Sequence, residues 1–222
     1  MSLVSDERLD KIRQVVANRQ FDLTVILERV SDPHNIGAVL RSCDSIGISE
    51  VFLINDTIHT DKYGKFVGKT TSSGAWKWIK FNYFTDCKTC VTEVKKRYGR
   101  ILCTHMSEEA DNLYELDLTL STALVFGNES DGISDEMLSL CDGNFLIPQV
   151  GMVQSLNISV ACAVSLYEAF RQRSEKGFYS KVLTECPTEQ QRNLFVDYLK
   201  KHKPRVFGKN KNLALKYLEM KE

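Results

Sequence analysis

Leu23-Thr24-Val25-Ile26-Leu27-Glu28, then Asp32-Pro33-His34-Asn35-Ile36-Gly37-Ala38-Val39-Leu40-Arg41, then Ser49-Glu50-Val51-Phe52-Leu53-Ile54 read as strand, helix, strand. The outer runs are short and apolar. The middle run sets Ile36, Val39, Leu40 and Cys43 on one helical face. Asp32 stands where an N-cap is needed, Pro33 fits the first helical turn, and Gly47 stops the helix. A βαβ unit with nearly continuous apolar strands implies a parallel sheet covered on both faces.

Working outward, Leu9, Ile12, Val15 and Val16 predict a short amphipathic helix over residues 5–19. Residues 55–85 are interrupted by Gly64, Gly68 and Gly74; they predict loops, a short helix and a strand near Trp78 to Phe84. A helix is expected over residues 86–98, with strands over Ile101 to Thr104 and Thr122 to Phe126. A helix over Ser134 to Cys141 then leads to a strand over Asn144 to Ile147. The last core helix is expected from about Ser155 to Arg173, burying Leu156, Val160, Ala163, Val164 and Tyr167. The fold class is thus α/β, a mostly parallel sheet with helices on both faces. The division is an N-terminal helical extension (1–19), a body (20–175) and a basic helical tail (176–222).

The 222 residues are 43% hydrophobic, enough for one sizeable domain with appendages. No apolar run reaches membrane-spanning length, and Met1 to Asp10 is too charged for a signal peptide, so a cytoplasmic protein with no membrane partner is expected. Seven cysteines, odd in number and irregularly spaced, fit reduced thiols; Cys87-Lys88-Thr89-Cys90 is a lone CxxC, better read as packed thiols than as zinc ligands. Formal net charge is +0 but unevenly spread. Lys/Arg and Asp/Glu number four and three in residues 1–19, fourteen and twenty-one in 20–175, and eleven and five in 176–222. A basic tail on an acidic body points to a polyanion held by the appendage.

Three clusters fall at strand ends, where ligands of α/β proteins bind. His34-Asn35 with Arg41 sits on the first helix; a planar guanidinium there suits phosphate, though this cluster taken alone favours a capping asparagine and a surface arginine. Phe126-Gly127-Asn128-Glu129-Ser130-Asp131-Gly132 ends a buried strand in glycine. It is neither a Walker loop nor a dinucleotide fingerprint, and Glu129 has no role in an ordinary loop. Ile147-Pro148-Gln149-Val150-Gly151-Met152-Val153-Gln154-Ser155-Leu156-Asn157 closes the last strand and opens the last core helix, with Ser155 and Asn157 as caps or ligands. None of the four histidines has a partner at metal or triad spacing, and GxSxG and HExxH are absent. Lys62, Tyr63, Lys65, Lys69, Trp76, Lys77, Trp78 and Lys80 interleave cations with aromatics, a mixture that suits RNA; either tryptophan also fits a core position.

Taken together, the Asp32-to-Arg41, Phe126-to-Glu129 and Ile147-to-Asn157 segments resemble, in order, the three motifs of the SPOUT class of RNA methyltransferases, and within it the TrmH-type ribose 2′-O-methyltransferases. The resemblance spans nearly all of residues 5–175. It implies a C-terminal trefoil knot, an exception to unknotted topology. It implies S-adenosyl-L-methionine as cofactor, contacted by Thr104, Gly127, Ile147 and Leu156, and no required metal. It implies a homodimer whose subunits complete each other's sites; Ser159, Ala161 and Cys162 are small enough for close helix packing. Of the site residues, Arg41 would hold phosphate and the reacting oxyanion, Asn35 would orient Arg41 or the ribose, and Glu129, Ser155 and Asn157 would shape the pocket. The expected reaction is methylation of a tRNA ribose 2′-hydroxyl at guanosine 18 of the D-loop. The alternatives are ribosomal RNA as substrate, a branch often marked by a longer N-terminal domain, or a non-catalytic RNA-binding protein on the same scaffold.

Overall fold

A computed structural model describes residues 4–55, 72–107, 109–128, 130–153, 155–179, 183, 187–208 and 210–219. The chain forms two units, Gln20–Lys176 and a second built from Met1–Arg19 with Gly177–Glu222.

The larger unit carries a seven-stranded sheet. In chain order its elements are β1 (Leu23–Glu28), α2 (Pro33–Ser45), β2 (Glu50–Ile54), β3 (Lys80–Phe84), α3 (Cys87–Lys95), β4 (Arg100–Thr104), β5 (Asp111–Asn112), β6 (Thr122–Phe126), α4 (Asp135–Leu140), β7 (Gly143–Leu146) and α5 (Ile158–Glu175), with α1 (Asp6–Ala17) reserved for the other unit. Strand order is β3-β2-β1-β6-β4-β7-β5, and every pairing is parallel. Chain direction across the sheet reverses between β1 and β6, which sets a crevice at their C-terminal ends.

Period-two alternation builds two cores. Val25, Leu27, Val51, Leu53, Leu124 and Phe126 face one side, where Ile36, Val39, Leu40 and Cys43 of α2 meet Ile158, Cys162, Leu166 and Ala169 of α5. Ile26, Phe52, Ile54, Ile101, Cys103, Ala123 and Val125 face the other, covered by Cys87, Cys90, Val91 and Val94 of α3 and Met137 of α4. Each fully buried aromatic or aliphatic side chain here contributes about 1.5–3 kcal/mol. Helix starts follow their caps. Asp32, Asp86 and Ser134 accept from the backbone N–H groups of His34, Thr89 and Met137, each worth about 1 kcal/mol. Gly47 follows α2 in the left-handed region (φ 92°).

The last core helix differs from expectation. It begins at Ile158, not Ser155, with Asn157 as its N-cap. Its buried stripe is Ile158, Cys162, Leu166 and Ala169, whereas Val160 and Tyr167 are 46% and 52% exposed; Leu156, Ala163 and Val164 are half-buried. The helix carries apolar residues on two sides, and periodicity does not say which one faces the sheet. The two-residue strand β5 was not anticipated, being too short to carry a pattern. Cys87 and Cys90 are buried on the core face of α3, and burial pushes both thiols up to about 12. Trp76 packs partly buried against the first core. The expected cationic positions Lys62, Lys65 and Lys69, with Tyr63, lie outside the described residues.

The smaller unit is helical. It contains α1, α6 (Glu189–His202), α7 (Pro204–Phe207) and α8 (Lys211–Glu219). Leu9, Ile12 and Val16 of α1, Phe195, Val196 and Leu199 of α6, with Phe207 and Ala214, are among its buried residues. Arg13 donates to the Tyr217 carbonyl at 3.0 Å, and Thr188 with Gln191 forms a capping box at the start of α6. Among the described residues no helix is long and apolar enough to cross a membrane.

Candidate functional site

Because β4, β6 and β7 are neighbours and parallel, their C-terminal ends open side by side. A cavity of about 410 Å³ lies there, its wall including Thr104 from β4, Gly127 after β6, Ile147 after β7, and Ser155 and Leu156 before α5. Thus four expected cofactor contacts and one expected pocket-shaping residue share one cavity. Its size suits a nucleoside-sized ligand. Phe126, Phe145 and Ile158 supply apolar wall, while His105, Asn128 and Gln149, which sequence reasoning did not assign, add polar groups. Strand-end backbone and apolar walls beside a polar rim fit a purine nucleoside bearing a charged amino-acid arm.

The loop after β6 owes its shape to Gly127. A Cβ there would stand 2.1 Å from the Gly132 carbonyl oxygen. The loop is closed by paired backbone bonds, Asn128 N–H to Gly132 O at 3.1 Å and Gly132 N–H to Asn128 O at 2.9 Å, with Gly132 at φ 69°. Asn128 Oδ1 accepts from Ser130 N–H at 2.7 Å, and its Nδ2 donates to the Arg29 carbonyl at 3.0 Å. Gly127→Ala therefore must open this turn or displace it. Cofactor affinity is expected to fall about tenfold or more, the usual 1–3 kcal/mol cost of overpacking, read by calorimetry with circular dichroism confirming the fold. Wild-type affinity in that variant would remove the close approach from the account.

Beneath the loop lies Glu28, at 0% exposure, another residue not singled out from sequence. Its carboxylate accepts from Ser134 N–H at 3.0 Å and from the Ser134 hydroxyl, and the Cys87 thiol donates to it at 3.5 Å. Burial first, then the Glu28 charge, keeps Cys87 protonated and able to donate. A charged residue ending an otherwise apolar strand was the available signal, since a buried carboxylate needs partners.

The first and third motifs meet through their asparagines. Asn157 Oδ1 accepts from Ser159 N–H at 2.9 Å and from its hydroxyl at 2.6 Å, while Asn157 Nδ2 donates to Asn35 Oδ1 at 3.2 Å. Asn157 lies between Leu156 and Ile158, both of the cavity wall. Arg41 follows on α2 after nearly two turns, exposed and outside that wall; among the described residues no carboxylate pairs with it. Glu129 lies outside the described residues.

The SpoU rRNA methylase family matches residues 22–167. The tRNA (guanosine(18)-2′-O)-methyltransferase of Thermus thermophilus is 39% identical over 197 residues, covering 89% of this chain and 98% of that protein. The crystal structure of the Aquifex aeolicus TrmH/SpoU tRNA modifying enzyme superposes with a TM-score of 0.75 at 36% identity, covering 90% of this chain and 98% of that one. The SpoU methyltransferase AviRb of Streptomyces viridochromogenes, solved in complex with the cofactor AdoMet, gives a TM-score of 0.55 at 25% identity, covering 70% and 59%.

Proposed function

This chain belongs to the SpoU rRNA methylase family, and from that premise we propose that it is an S-adenosylmethionine-dependent methyltransferase acting on the ribose 2′-hydroxyl of guanosine 18 in the D-loop of tRNA. The observation that carries this reading is the cavity where Thr104, Gly127, Ile147, Ser155 and Leu156 converge, in a chain matching a tRNA methyltransferase through almost its whole length. The AdoMet-bound relative supports the choice of cofactor.

When bound, S-adenosylmethionine supplies a methyl group already activated on a sulfonium, which leaves as a neutral thioether. The chain must hold the ribose in line and help O2′ lose its proton. A guanidinium offers five N–H donors and no acceptor, so Arg41 acts as a cation, gripping a substrate phosphate and stabilising negative charge growing on O2′. The O2′ proton passes to a substrate phosphate oxygen or to water. Asn35, fixed by Asn157, orients the ribose or the Arg41 fork. Glu129 and Ser155 shape the pocket, and Thr104, Gly127, Ile147 and Leu156 hold the cofactor; no step requires a metal.

The active form is a cytoplasmic homodimer. Its support is the second apolar side of α5, where Val160 and Tyr167 are exposed, with the exposed Val150, Met152 and Val153 before it. The segment from β6 to α5 forms the trefoil knot of the family. Residues 1–19 and 177–222 carry fourteen Lys/Arg against eight Asp/Glu and hold the tRNA body. The test is transfer of labelled methyl to unmodified tRNA and to ribosomal RNA in parallel. Label in tRNA alone is expected; label in ribosomal RNA alone keeps the chemistry and overturns the substrate.

A further inference from the structure

Arg29, the residue after β1, is exposed and adopts a left-handed backbone conformation (φ 55°). That region favours glycine, then asparagine or aspartate, because Cβ crowds the backbone there. Two hydrogen bonds hold Arg29 in place from either side. Its N–H donates to the Ile54 carbonyl at the end of β2, at 2.8 Å. Its own carbonyl accepts from Asn128 Nδ2, in the loop after β6, at 3.0 Å. Glu28 and Val30 on either side are buried, so the bend is imposed by its surroundings.

Neither bond uses the Arg29 side chain; a glycine or asparagine would make the same contacts with less strain. Among the described residues, no side chain or carbonyl pairs with the guanidinium. The larger unit as a whole is acidic, fifteen Lys/Arg against twenty-one Asp/Glu over residues 20–176. An uncompensated guanidinium there stands out, and this one rises from the C-terminal edge of the sheet between β2 and β6. Asn128, which fixes its carbonyl, also lines the cavity.

We propose that Arg29 is a phosphate-binding residue for the substrate RNA, its fork taking a phosphodiester next to the target ribose while the pinned backbone fixes where the fork can reach. The inference rests on the methyltransferase reading for its substrate. A planar fork on a fixed base gives register that a mobile surface lysine does not.

The test compares Arg29→Gly, Arg29→Lys and wild type in equilibrium binding of an unmodified tRNA transcript, without cofactor, across a salt series. Arg29→Gly is expected to bind about tenfold more weakly at low salt. Its plot of log affinity against log salt should be shallower by about 0.7–0.9, the loss of one phosphate contact. Arg29→Lys should keep the slope while recovering only part of the affinity. Melting temperature should not fall in Arg29→Gly, because strain is relieved, and calorimetric S-adenosylmethionine affinity should stay at the wild-type value. An unchanged salt slope would overturn the proposal. An unchanged slope with weaker cofactor binding would assign the guanidinium to the cofactor carboxylate instead, and an unchanged slope with a lower melting temperature would make it structural. A wild-type protein that binds tRNA but transfers no methyl would sink the enzymatic reading and leave the Arg29 result standing.

Discussion

Arg41→Ala is expected to lower methyl transfer by about 10²–10³-fold, the range found when one donor to a developing oxyanion is removed, while S-adenosylmethionine affinity stays within a few-fold. Arg41 is exposed and outside the cavity wall, so its loss leaves the cofactor contacts intact and takes only what the substrate and transition state receive. Its exposure also means that no buried partner is stranded, and stability should hardly change. Arg41→Lys keeps the charge but not the fork and should recover only a small part of the rate. Single-turnover rates with saturating RNA, beside calorimetric cofactor binding, check this. A near-normal rate in Arg41→Ala would remove the residue from the chemistry. Equal loss of cofactor binding would place it in the cofactor site instead.

Arg173→Met is expected to cost about 3–5 kcal/mol of stability, the sum of leaving two buried hydrogen-bond acceptors unsatisfied at about 1–3 kcal/mol each; the Asp22 carboxylate, 42% exposed, can turn to water. Arg173 is fully buried near the end of α5. Its Nε donates to the Leu118 carbonyl at 2.9 Å, and its terminal nitrogens to Gln20 Oε1 at 2.9 Å, Asp22 Oδ1 at 2.6 Å and the Leu120 carbonyl at 3.1 Å. This network joins the approaches to β1 and β6 at the N-terminal edge of the sheet, the end opposite the cavity. Methionine fills the volume but donates nothing, stranding the buried Gln20 side chain and the Leu118 carbonyl. Thermal melting should drop by about 10 °C or more for a chain of this size, while activity well below the transition persists. An unchanged melting temperature would show that the network contributes nothing net.

Much of the fold was legible because its punctuation is explicit. Asp32 with Pro33, Asp86 and Ser134 open helices where capping chemistry puts them, and the apolar run Leu23 to Leu27 could only be a strand buried on both faces. The last helix was misplaced in part because Val160 and Tyr167, both exposed, repeat with a helical period as Ile158, Cys162 and Leu166 do, whereas Val164 does pack against the core. One periodic pattern cannot rank two faces without knowing where the sheet lies. At the site, strand ends are set by local sequence and pointed to the segments after Phe126 and around Ile147 to Asn157, whereas the assignment of Thr104, Gly127, Ile147 and Leu156 to the cofactor came from the family resemblance. Glu28 escaped notice, because its partners Ser134 and Cys87 are remote in sequence and meet only after the sheet forms. Arg29 escaped for a different reason: a left-handed φ at a non-glycine residue is imposed by Ile54 and Asn128, and no local pattern announces it. The pairing of Asn35 with Asn157 likewise depends on α2 and α5 sharing one face of the sheet.

The most direct test uses two tRNA transcripts, one unmodified and one differing only in a 2′-deoxy sugar at guanosine 18. Each is incubated with labelled S-adenosylmethionine, digested, and mapped by mass spectrometry. Ribose 2′-O-methylation at guanosine 18 predicts one ribose-methylated guanosine, at position 18 of the unmodified transcript, and no methyl on the deoxy transcript. Methyl on a base, at another nucleotide, or on the deoxy transcript would contradict it.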